Sequence, residues 1–93
     1  MTETILYIED NPLNMRLVRK LVQSFGYAMI EATDGITGLD MVETERPDLV
    51  LVDLNLPGID GLEIASILKV NPDLAAIPVI ALTANAMHGD RER

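Results

Sequence analysis

The sequence predicts an α/β domain, a parallel sheet with helices on both faces. Short apolar, β-favouring runs alternate with longer segments whose apolar residues recur at three-and-four spacing. Leu49-Val50-Leu51-Val52 is apolar at four successive positions, as a central strand covered on both sides requires. The residues able to carry chemistry, Glu9, Asp10, Asp53 and Thr83, stand at the ends of such runs rather than within them.

The first strand runs from Thr4 to Ile8 and stops at Glu9-Asp10-Asn11-Pro12. Asn11 then serves as an N-cap with Pro12 at the first helical position. The following helix should bury Leu17, Val18, Leu21, Val22 and Phe25 and end at Gly26. A second strand spans Ala28 to Ala32, and Asp34 caps a helix through Glu45 with Ile36, Leu39 and Val42 inward, closed by Pro47. The third strand ends at Asp53. After the loop from Leu54 to Ile59, Asp60 and Glu63 have capping-box spacing for a helix carrying Leu62, Ala65, Ile67 and Leu68, which Asn71-Pro72 terminates. Pro78 opens a fourth strand, Val79 to Leu82, and the segment from Asn85 to Arg93 could begin another helix. This order implies right-handed crossovers and a parallel sheet.

With 93 residues, a single small domain over 1–93 is the expectation. Aromatics are only 3% against 48% hydrophobic residues, so Ile, Leu, Val, Ala and Met must fill the core. Fifteen acidic against seven basic residues give a net charge of −8, which argues against nucleic-acid binding because phosphates repel carboxylates. Without cysteine, disulfides and thiolate chemistry are excluded. No apolar run approaches the ~20 residues that span a bilayer, and Met-Thr-Glu-Thr lacks the basic flank of a signal peptide, so no membrane partner and a cytoplasmic location are expected.

In a parallel sheet all strands end on one side, so Glu9, Asp10, Asp53 and Thr83 can meet there. Three carboxylates brought together resist ionisation unless a cation neutralises them. Magnesium suits one or two carboxylates with water and phosphate oxygens, and Asp10 and Asp53 with a backbone carbonyl just after Asp53 make a half-site, Glu9 acting through a water. The same ion would let the Asp53 carboxylate attack a phosphoryl group, and the Thr83 hydroxyl could then donate a hydrogen bond to it. The blander readings are a solvated turn for Glu9-Asp10, a structural carboxylate for Asp53 and an ordinary strand residue for Thr83. Gly58 and Gly61 read as turn and helix-entrance residues, and His88 as a solvated side chain.

Three stretches, Ile8-Glu9-Asp10-Asn11, Leu51-Val52-Asp53-Leu54-Asn55-Leu56-Pro57-Gly58-Ile59-Asp60-Gly61 and Pro78-Val79-Ile80-Ala81-Leu82-Thr83-Ala84, resemble CheY-like response regulator receiver domains of two-component systems, in particular stand-alone receivers of the DivK kind and receivers of hybrid histidine kinases. The resemblance implies a flavodoxin-like three-layer fold with strand order 2-1-3-4. It implies that Asp53 is the phosphoacceptor for a phosphohistidine on a sensor histidine kinase or histidine phosphotransfer protein. It further implies Mg2+ on Asp10, Asp53 and the Asn55 carbonyl, Thr83 and Ala84 at switch positions, Ala84 and Asn85 as neighbours of the phosphate, and Asn55 and Asn85 where the family tunes dephosphorylation and access to the phosphate. No turnover of an external substrate is expected, so the chain would not be an enzyme.

Receivers of this family continue through a fifth strand bearing an aromatic switch residue and a Lys, then a fifth helix; this sequence stops at Arg93. The expectation is therefore a C-terminally incomplete receiver, with the fourth-strand edge and part of the first helix uncovered and available for self-association. A receiver-like interaction module that does not switch is the main alternative. An aspartate-based phosphohydrolase would want a second Asp where Asn55 stands, and a flavodoxin-like cofactor binder would want Ser, Thr and Gly where Glu9-Asp10-Asn11 stand.

Overall fold

The computed structural model describes residues 2–54, 56 and 58–82. Among the described residues seven elements follow one another: β1 (Thr4–Ile8), α1 (Pro12–Ser24), β2 (Ala28–Ala32), α2 (Gly35–Glu45), β3 (Leu49–Asp53), α3 (Gly61–Val70) and β4 (Val79–Leu82). All the strand pairs are parallel and the order is β2-β1-β3-β4, the expected one. The segment from Asn85 onward, where a further helix was expected, lies outside the described residues.

Local chemistry sets the helix starts. The Asn11 side chain accepts from the Leu13 and Asn14 amides, and Pro12 supplies a preset first turn. The Asp34 carboxylate accepts from the Thr37 amide at 2.7 Å. Asp60 accepts from the Glu63 amide while Glu63 accepts from the Asp60 amide, a complete capping box. Gly26 follows α1 with a φ of 86°, the left-handed conformation that glycine adopts without a Cβ penalty. α2 ends at Glu45, as expected, with its C-cap Arg46 at a φ of 49° immediately before Pro47.

The core has two layers. On one face of the sheet Leu6, Ile8, Val50 and Val52 pack with Val42 of α2 and Ile64 and Leu68 of α3. On the other, Ile5 and Tyr7 pack with Met15, Val18 and Val22 of α1. Met15 is buried, and Met29 and Met41 fill half-buried gaps, as expected of a flexible thioether.

The helix faces match expectation at Val18, Val22, Leu39, Val42 and Leu68 and differ from it elsewhere. α1 buries Asn14, Met15, Val18 and Val22, while Leu13, Leu17, Leu21 and Phe25 form an exposed ridge at four-residue spacing, Phe25 being 69% exposed. α2 buries Gly35, Gly38 and Val42 and turns Ile36 outward. A Cβ on Gly38 would lie 2.4 Å from Ile8 Cδ1, so the helix presses its glycine face on β1. α3 buries Gly61, Ile64 and Leu68, leaving Leu62 and Ile67 exposed and Ala65 half-buried.

Candidate functional site

Parallel register brings the acidic residues together. Ile8 stands opposite Val52, so Glu9 leaves β1 beside the place where Asp53 ends β3. Asp53 in turn stands opposite Leu82 of β4, the last described residue before Thr83. One carboxylate oxygen each from Glu9, Asp10 and Asp53 lies within 4.8 Å of the others. Glu9 and Asp53 are buried, 2% and 4% exposed, whereas Asp10 faces solvent. Thr83, Ala84, Asn85 and Asn55, the remaining expected site residues, lie outside the described residues, as does His88.

Glu9 is held at both oxygens. The Tyr7 hydroxyl donates to Oε1 at 2.9 Å and the Asn11 amide donates to Oε2 at 3.0 Å. Burial raises the Glu9 pKa, the two donors oppose that rise, and the nearby Asp53 carboxylate adds to it. Burial also pushes the Tyr7 phenol above its ordinary range, with Glu9 reinforcing the shift, so the hydroxyl stays protonated as a donor. Sequence reasoning missed Tyr7. The available signal was its position two residues before Glu9, which continues the strand's alternation and puts both side chains on the same side.

Behind the site, a Cβ on Gly61 would approach the Asp53 carbonyl oxygen to 3.1 Å and Val52 Cγ1 to 3.3 Å, so α3 begins tight against the end of β3. On the α1 side a cleft of about 280 Å3, lined in part by Asp10, Met15, Arg16 and Arg19, opens beside the acidic cluster. Arg19 donates through Nε and Nη2 to both Glu31 oxygens, which lowers the Glu31 pKa. Three hard oxygen donors at this spacing fit a hard divalent cation such as Mg2+, because each unneutralised pair costs on the order of 3 kcal/mol at an effective dielectric of about 20.

The family model for the response regulator receiver domain matches residues 5–93. The chain belongs to this family. The receiver is 46% identical over 93 residues to the polar-differentiation response regulator DivK of Brucella ovis, covering 100% of this chain and 76% of the relative. Among solved structures it is similar to the receiver domain of sensor histidine kinase PA1611 from Pseudomonas aeruginosa PAO1, which has a magnesium ion coordinated in its active site cleft. That likeness has a TM-score of 0.84 and 36% identity over 100% of this chain and 76% of the other. The N-terminal domain of a response regulator receiver protein from Methanoculleus marisnigri JR1 matches with a TM-score of 0.82 and 34% identity over 87% and 66%. As a receiver domain, the chain is a component of two-component signalling, in which receivers interact with histidine kinases or phosphotransfer proteins. No helix among the described residues of the receiver is long and apolar enough to cross a membrane.

Proposed function

We propose that the chain is a phosphoacceptor switch in which Asp53 takes a phosphoryl group from a phosphohistidine on a histidine kinase or phosphotransfer protein. The observation that carries this reading is the buried Asp53 carboxylate gathered with Glu9 and Asp10 at the carboxyl edge of the sheet. An Asp53 oxygen attacks phosphorus, the phosphorus–nitrogen bond to the donor breaks, and the imidazole leaves to take up a proton. Asp10, Asp53 and the Asn55 carbonyl would hold Mg2+, with Glu9 acting through a water; the ion supplies charge neutralisation for phosphoryl oxygens. Thr83 then donates its hydroxyl to the new phosphoryl group, with Ala84 and Asn85 as neighbours. The domain turns over no external substrate and acts in the cytoplasm.

The test is transfer from a phosphorylated histidine phosphotransfer protein in the presence of Mg2+. Radiolabel should move to this chain as an acyl phosphate that hydroxylamine releases; label that stays on the donor would remove the reading.

The exposed ridge of Leu13, Leu17, Leu21 and Phe25 supports a second reading, an interaction module that associates through α1. Such a module sediments as a concentration-dependent dimer that Leu17→Glu disperses. A monomer at every concentration leaves the switch reading alone.

A further inference from the structure

Among the described residues Tyr7 carries the one buried hydroxyl. Its ring packs with Met15, Val18 and Val22 in the α1 layer, a role phenylalanine would fill equally well. A hydroxyl there adds a burial cost that only a hydrogen bond offsets, and its bond goes to Glu9 Oε1 at 2.9 Å.

We propose that Tyr7 is a positioning residue for the cation site, fixing the Glu9 carboxylate so that it stays gathered with Asp10 and Asp53. The inference deepens the proposed function and rests on its metal site. The terminal torsion of a glutamate is broad, so one donor leaves the carboxylate plane free to turn, whereas two donors at its two oxygens fix it. Here the second donor is the Asn11 amide at 3.0 Å, set by the start of α1. Each carboxylate oxygen keeps a further lone pair, so Glu9 can still accept from a metal-bound water while both donors hold it. The tyrosine is itself immobilised, since β1 fixes its backbone and three α1 side chains enclose its ring. Donors that fix a metal's direct ligands typically account for about 10- to 100-fold in metal affinity, and Tyr7, acting through Glu9 on a metal-bound water, falls at the lower end of that range.

The experiment is a calorimetric Mg2+ titration of the wild type, Tyr7→Phe, Glu9→Ala and the double variant. Tyr7→Phe should bind roughly tenfold more weakly while melting cooperatively, and should change affinity by less than about twofold when Glu9 is already alanine. The wild-type arm separates the two ideas. If it binds no Mg2+, the metal site falls and this inference with it. If it binds and Tyr7→Phe binds equally, or loses the same factor in both backgrounds, the metal site stands and the positioning role is overturned. A second readout does not require the Glu9 variant to fold. The chain has two tyrosines and no tryptophan, so in Tyr27→Phe the emission comes from Tyr7 alone. That emission should change saturably with Mg2+, and emission indifferent to the ion overturns the proposal.

Discussion

Incubated with acetyl phosphate and Mg2+, the chain should gain one phosphoryl group by intact mass, and Asp53→Asn should gain none. The acetyl group leaves as acetate when an Asp53 oxygen bonds to phosphorus. An asparagine amide carries no charge to donate, so the substitution removes the nucleophile and a metal ligand while barely changing shape. Glu9 and Asp10, within 4.8 Å, cannot replace it simply by being near. Glu9 is already engaged at both oxygens by Tyr7 and Asn11, and Asp10 lies at the solvent side. Chelating the metal should slow the wild type by on the order of 10²- to 10³-fold, because several kcal/mol of charge neutralisation then has no source. Equal mass gain in the Asp53→Asn chain would place the acceptor elsewhere and remove the central role of the cluster.

Much of that site was legible because it is written locally. A strand end is visible wherever an apolar run meets acidic residues, and parallel topology puts all such ends on one side. Glu9, Asp10 and Asp53 therefore meet as anticipated. The caps at Asn11, Asp34 and Asp60 were equally readable, since each is a side chain answering an amide two or three residues away.

The inner helix faces were less legible, for a reason shared by α2 and α3. A periodicity count follows large apolar side chains, but α2 meets β1 through Gly38 and meets Ile59 and Ile64 through Gly35, while α3 meets the end of β3 through Gly61. A glycine face permits close approach and contributes nothing to an apolar stripe, so Ile36 and Leu62 drew the eye to the wrong side. In α1 two apolar rows lie side by side, and composition alone cannot say which one the sheet covers. Tyr7 escaped because a core tyrosine looks like packing until the partner of its hydroxyl is known.

In metal-free buffer at neutral pH, Asp53→Asn should melt above the wild type by roughly 5–15 °C, equivalent to about 1–2 kcal/mol for a domain of this size. Its carboxylate is buried beside buried Glu9, and it adds to the burial that already raises the Glu9 pKa. Neutralising one member of the cluster removes repulsion that folding must overcome, whereas the unfolded chain separates these charges at no comparable cost. Asp53 is not without a partner, and losing that interaction opposes this gain, which is why the expected value falls below the full pairwise repulsion of about 3 kcal/mol at an effective dielectric of about 20. Mg2+ should reverse the order. At about 100 times its dissociation constant the ion adds ~2.7 kcal/mol to a chain that binds it and little to one that has lost a ligand. Paired thermal melts with chelator and with saturating Mg2+ should therefore cross. If the asparagine variant melts lower without metal, the Asp53 carboxylate is a net stabiliser of the fold. The site would then be a satisfied structural cluster rather than one whose charge is balanced by a bound cation.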